Sequence, residues 1–402
     1  MSLLRRDRRS DFVSEPQRTL SGLRQRSWSG ITVTENDARG LAAWWAAVEL
    51  VAGVGSSLPL DEIRVVGDTR TKLPLSSIFA DPDPDPSITA KAFRHQLLTS
   101  AIARGNAYAE VLGSTGPGTQ PTGMVAIHPD RVQWRYVEVD GRYGWHPFVD
   151  GERRSRWPLG DLWHWPLFVQ AGSPVGLSPV EVHRQTIGAA IAAQKFGAQY
   201  FDSGGLPVAI IRPDRDPGED GAKALKQKVV DATRGNREPL VLPATVGFDK
   251  LTISADEAQF LQTQRYGVEE VARIVLGGFP ELIGGATSGQ NVTYTNREQR
   301  LADFLALSLV PRYLAPLEDA LSTLIPRGRI VRHNVDALLR GDLAARFAAY
   351  ESSARIFDMT GVPVYTPDEI RAIEDLPPLD ESSPVRRNVR PEPTTRSEGA
   401  HA

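Results

Sequence analysis

The sequence predicts an α+β protein, and three observations carry that prediction. Apolar residues recur at helical spacing early on, where Leu41, Trp44, Trp45, Val48 and Val51 follow the i, i+3, i+4, i+7 rule. Between about 105 and 166 the pattern changes to short alternating segments broken by Gly, Pro and Asp, which reads as antiparallel strands and hairpins. From about 178 onward long helical runs return, with Ser or Thr followed three residues later by Glu at their starts.

Taken in order, residues 1–35 are polar and Arg/Ser-rich, without steady periodicity, and read as a flexible arm. Arg5, Arg6, Arg8 and Arg9 form a solvated run there, with contact to nucleic acid as the alternative. A helix starts near 37 and is interrupted at Gly53, Gly55 and Pro59; a second covers about 88–104 and ends at Gly105. Asp140-Gly141 and Asp150-Gly151 are candidate hairpin turns. Ser178, Pro179 and Glu181 supply an N-cap, a first-turn proline and a capping-box acid for a helix over about 178–202, ~37 Å long at 1.5 Å per residue. Its alanine-rich middle permits close approach, in its own core or against a neighbouring copy. A strand–helix–strand unit follows over 204–254, small for an independent domain. Ser254 and Glu257 start the next helix. Thr295 and Glu298 start another, where Pro311 and Pro316 predict a bend near 310. Thr366 and Glu369 form a last capping box, and the Pro/Arg/Ser-rich residues 381–402 read as disordered.

Composition excludes several classes. The 402 residues carry 46 Lys and Arg against 49 Asp and Glu, a formal charge of −3, whereas a protein that clings to nucleic acid should be clearly basic. There is no cysteine, hence no disulfide, no Cys-based zinc site and no thiol nucleophile, which fits a reducing compartment or an assembly that needs no staples. No run approaches the roughly 18 apolar residues that span a bilayer, and the Arg-rich start is not a secretory signal, so no membrane association is expected. P-loop, helical His-pair and Gly-x-Ser-x-Gly signatures are missing. His164, in "DLWHWPL", reads as a packed core histidine and His128 as a strand-end residue before a turn. Asp256 and Glu257 read as helix-start charges, and Glu269 and Glu270 as a solvated face. No catalytic residue, cofactor or metal site is expected.

One stretch resists a bland account. "GGFPELIGGATSGQNVTYTNREQR", Gly277 to Arg300, places a long glycine-rich segment without charge between two strong helices. It fails as a phosphate cradle, because no lysine closes it and a helix rather than a strand precedes it. Read by itself, it is a polar surface loop.

Seven phrases, in order, resemble the portal proteins, or head-to-tail connectors, of tailed double-stranded-DNA bacteriophages. They are "AWWAAVELVAGVGSSLPL", "RGNAYAEV", "IHPDRVQ", "GLSPVE", "EEVARIVLGGFPELIGG", "LVPRYLAPLEDALSTLI" and "GVPVYTPDEIRAIEDLPPL", and the resemblance covers about 35–380. It implies a portal fold with an α/β wing, a two-helix stem, a small α/β clip, a long kinked channel-lining helix and a helical crown. By order, 36–177 is the first part of the wing, 178–203 the first stem helix, 204–254 the clip and 255–280 the second stem helix. Residues 281–294 become the tunnel loop, 295–344 the tunnel helix and second part of the wing, and 345–380 the crown.

The resemblance further implies a ring of copies, usually twelve, at one capsid vertex of a virion assembled in the host cytoplasm. Double-stranded DNA slides through it without sequence preference. The terminase packaging motor docks at the clip, and a head-tail adaptor, the major capsid protein and scaffold are further partners. Within the tunnel loop, Gly284, Gly285, Thr287, Ser288, Gly289, Gln290 and Asn291 supply mobility and weak neutral hydrogen bonds, so that passing DNA is touched but not held. Twelve copies at −3 each carry a formal −36, a field that repels DNA overall. Two other readings remain: an α/β enzyme of hydrolase-like or nucleotidyl-transfer type, and a structural virion protein without a channel.

Overall fold

Alternating and helical patterns meet because the larger sheets pack against helices or against one another. A computed structural model describes residues 27–113, 121–202, 209–213, 218–224, 227, 246–250, 257–285, 294–335, 343–361, 364–374 and 376–379. The chain divides into two compact units, Met1–Asn334 and Val335–Ala402. The four arginines of the arm, Gly204, Gly205, Ser254, Asp256 and the tail after 380 lie outside the described residues.

The first unit opens with α1 (Glu35–Arg39), closed at its start by a Thr34–Asp37 capping box, and α2 (Ala42–Ser57). The interruption expected at Gly53 and Gly55 does not occur; α2 runs through both to Ser57. Packing explains this. A Cβ on Gly55 would sit 2.9 Å from Leu98 Cδ1 and 3.2 Å from Leu314 Cδ2, so the missing side chain lets α2 nest between two other helices. Leu98 belongs to α4 (Ala90–Arg104), which begins at the Thr89 cap and ends at Gly105 as the sequence reading has it.

Two strands unread in the sequence follow α2. β1 (Leu60–Val66) and β2 (Thr69–Leu73) form a hairpin across Gly67-Asp68, and β11 (Arg329–His333) joins the free side of β1. The short helix α3 (Ser77–Ala80) connects them to α4. A second sheet has the order β4-β3-β8, with β3 (Asn106–Leu112), β4 (Gly123–Ile127) and β8 (Leu162–Pro166). A third is the meander β5 (Val132–Val139), β6 (Arg142–Val149) and β7 (Glu152–Arg153). Its turns are Asp140-Gly141 and Asp150-Gly151, all four residues at positive φ. The inner sides of these two sheets meet in a core of Tyr108, Ile127, Val132, Trp134, Val149, Leu162 and Val175.

The helix expected as one piece over 178–202 is split into α5 (Pro179–Val182) and α6 (Arg184–Asp202), with His183 between them. Ser178 caps α5 through the Glu181 amide at 3.4 Å. At the break the Glu181 carbonyl accepts from the Arg184 guanidinium at 3.0 Å. β9 (Ala209–Pro213) and β10 (Val246–Lys250) pair antiparallel in the small unit. α7 (Glu257–Leu276) then packs against α6 and α2.

The long proline-bearing helix begins at Tyr294, so Thr295 stands within its first turn rather than capping it. It has three parts: α8 (Tyr294–Phe304), a π-helical stretch over Leu305–Leu314 that contains Pro311, and α9 (Ala315–Ser322). The helix is thus locally widened around Pro311 rather than ended there, while Pro316 falls in the first turn of α9. Trp157 Nε1 donates to Thr323 O at 2.8 Å and Trp163 Nε1 to Ala320 O at 3.0 Å, so two indoles bond to carbonyls at the end of α9.

The second unit contains α10 (Leu343–Thr360) and α11 (Pro367–Ile373). The expected capping box is present there. Glu369 N donates to Thr366 Oγ1 at 3.3 Å, and Thr366 N to Glu369 Oε2 at 2.7 Å.

Candidate functional site

The segment singled out in the sequence leaves α7 through Gly277 and Gly278 and turns at Phe279, which adopts the left-handed conformation. A 3₁₀ turn, Pro280–Ile283, comes next. Gly284 closes it at φ +81, a left-handed position where a side chain is strained. Gly285 N donates to Pro280 O at 2.7 Å, and a Cβ on Gly285 would lie 2.7 Å from that same oxygen. These two glycines thus build a tight, closed turn. Thr287, Ser288, Gly289, Gln290 and Asn291 lie outside the described residues.

Both margins of the stretch are held by side chains. Phe279 meets the buried Phe304 edge-on at 5.8 Å between ring centres, and Arg300 donates to Glu281 Oε1 at 3.2 Å. Phe304 and Arg300 are one helical turn apart on α8, so the chain from 279 to 281 runs back toward the start of that helix. Glu281 and Arg300 neutralise each other there, leaving no unpaired charge contributed by that pair.

The end of α7 is fixed in turn by the π-helical stretch. Arg312 donates to Ile274 O at 2.8 Å and Tyr313 OH to Val275 O at 2.6 Å, and the Arg312 guanidinium lies 5.7 Å from the Phe168 ring centre. Burial pushes the Tyr313 hydroxyl up to about 12, against the opposing effect of Arg312. Sequence reading missed Arg312 and Tyr313. Their only signal was "PRY" inside an apolar helix, which says nothing about a partner 38 residues earlier.

A second cluster accounts for three of the recurring phrases. Asn106 donates to Arg104 O and to Gly176 O, both at 3.0 Å, and its Oδ1 accepts from Gly176 N at 2.9 Å. A side chain on Gly176 would collide with the Leu167 and Gly105 carbonyls. Ser178 Oγ donates to Ala103 O at 3.0 Å, so "RGNAY" and "GLSPVE" are clasped together. Buried Glu35 binds Arg104, which reaches on to Asp130 of "HPDR" at 2.9 Å.

His164 completes the cluster. Its ring stacks on Tyr108 at 4.5 Å and its Nε2 lies 3.0 Å from Asn106 Oδ1. Burial drives its pKa well below the ordinary 6.5, helped by the nearby Arg156. It is a neutral packing residue, as read from the sequence. His128 caps the turn Pro129–Arg131, accepting from Asp130 N at 3.2 Å. Among the described residues no three His, Asp or Glu side chains gather as metal ligands, and no helix is long and apolar enough to cross a membrane.

Against this geometry the comparisons with known proteins are consistent. The family model described as "Phage portal protein" matches residues 42–375. A probable portal protein of Streptomyces phage phiC31 is 30% identical over 367 residues, covering 87% of this chain and 78% of that protein. The crystal structure of an HK97 family phage portal protein from Corynebacterium diphtheriae is similar with a TM-score of 0.59 at 16% identity, over 78% of this chain and 99% of that one. A chain in the neck of a native GTA particle, solved with C12 symmetry, gives 0.50 at 19% identity, over 85% and 91%.

Proposed function

The chain belongs to the phage portal protein family, and on that premise we propose that it forms a ring of twelve copies. The C12 symmetry of the similar neck chain supports that number. In this reading the ring sits at one vertex of the capsid and conducts double-stranded DNA inward during packaging and outward during ejection. It is a structural part of the virion, and it also serves as the platform on which the terminase motor, the head-tail adaptor, the major capsid protein and scaffold dock.

The regions keep the assignments given above: wing, stem, clip around the β9–β10 pair, tunnel helix from α8 onward, and crown in the second unit. The observation that carries the channel is the stretch 286–293, which holds no charge and is anchored on both sides by Phe279–Phe304 and Glu281–Arg300. A conduit needs such a surface. Each phosphate held by a cation adds counterion-release affinity, and repeated around a ring such contacts would pin the duplex. Gln290 and Asn291 offer neutral, weak hydrogen bonds instead.

Electron micrographs viewed down the axis test the ring, and packaging assays test the loop. Rings are expected both for the native protein and for Gln290→Lys with Asn291→Lys, while that double variant packages DNA more slowly. Isolated globules without a central hole would remove the ring, and unchanged packaging by the lysine variant would remove the role of the loop.

A further inference from the structure

The β5–β6–β7 meander has one face in the core and one in solvent, and the two differ sharply in chemistry. Val132, Trp134 and Val149 point inward to the core. Strand register sets the composition of the opposite face. Gln133 pairs with Phe148 and Phe148 with Arg153; Arg135 pairs with His146, Val137 with Gly144, and Val139 with Arg142. That face therefore carries Arg135, Arg142, Arg153 and His146, and no carboxylate. The three arginines are exposed, and among the described residues none has an ion-pair partner. Arg135 is oriented rather than loose: its guanidinium lies 4.7 Å from the Phe148 ring centre and donates to Gln133 Oε1 at 2.8 Å.

A chain of net charge −3 has thus gathered unpaired arginines on one small sheet. We propose that this outer face of the β5–β6–β7 meander binds the phosphate backbone of duplex DNA, without sequence preference, through Arg135, Arg142 and Arg153. Rows of the sheet are spaced by two residues, so Arg153 and Arg142, three rows apart, are separated by roughly 20 Å. Duplex DNA presents a charge about every 1.7 Å of its axis, so three cations over that distance always find phosphates. Gln133 is engaged by Arg135 and leaves little on the face to read base edges, which makes the contact electrostatic. The choice of DNA over an acidic protein rests on the portal reading, which brings a genome to the particle. The two DNA surfaces have opposite duties: the loop at 286–293 lets a duplex slide, and this sheet holds one.

The test uses the full-length protein in its assembled form, with anisotropy of a labelled random-sequence 30-base-pair duplex measured at several salt concentrations. Arg135→Ala, Arg142→Ala and Arg153→Ala combined should weaken binding by about tenfold or more and lower the slope of log K against log salt by about 2 to 3. Replacing the same three with lysine should preserve the slope, because charge rather than arginine geometry carries a phosphate contact. Particle mass and thermal unfolding are followed in parallel. Native rings whose DNA binding is untouched by the alanine variant would overturn this inference alone. So would a variant that loses binding to polyglutamate but keeps binding to DNA, which would mark an acidic protein as the partner. A native protein that forms no ring would instead overturn the portal reading.

Discussion

His164 shows how a single side chain can be chemically conspicuous and functionally quiet. Stacked on Tyr108 and bonded to Asn106, it is held uncharged by burial. Because its folded pKa lies well below 6.5, the unfolded chain takes up a proton that the folded chain refuses. The associated stability is fully present above pH 6.5 and is lost as the pH falls below it, by up to about 1.4 kcal/mol per pH unit. His164→Phe should therefore show a shallower decline in unfolding free energy between pH 6.5 and 5 than the native protein, read from urea titrations at each pH. Parallel declines would contradict the assignment. The packed role was legible from "DLWHWPL", an aromatic strand, whereas the Asn106 clasp was not, since it joins residues 70 positions apart.

At the scale of elements, the parts legible in the sequence are those with local causes. The Thr366–Glu369 box, the end of α4 at Gly105 and both Asp-Gly turns depend only on neighbouring residues, and the structure has each of them. Elements set by distant partners were misread. Gly55 looks like a helix breaker, yet it marks where Leu98 and Leu314 leave no room for a side chain on α2. The hairpin of β1 and β2 was hidden by its charged, half-exposed residues, and β11 by its distance in sequence from β1. Buried Glu62 belongs to that sheet and is bonded by Ser76 and Arg329; burial raises its carboxyl, but these donors bring it below its ordinary value. Gly55→Ala tests the packing account. A helix breaker replaced by alanine gains roughly 1 kcal/mol, whereas crowding a methyl against Leu98 and Leu314 costs about 1–3 kcal/mol. Net destabilisation is expected in chemical denaturation, and a clear gain would refute the close approach.

For the molecule as a whole, formal charge proved a poor guide to local surface. The total of −3 argued against any grip on nucleic acid, but a sum cannot register three arginines sharing one face of a sheet. Order along the chain was the better guide to the family, and three of the phrases that carry it are clasped together in the fold, as Asn106 is to Gly176. The tethering of residues 279–285 to α8 has a further consequence. Since Phe279 and Glu281 are tied to Phe304 and Arg300, the ends of the span 286–293 are fixed by contacts that lie outside it, and its length can be changed without altering them. Doubling such a span costs only about 0.6 kcal/mol in closure entropy. Adding two to four glycines or serines within 286–293 should leave the melting temperature within a few degrees; a collapse in melting temperature would show that the span itself props up the frame.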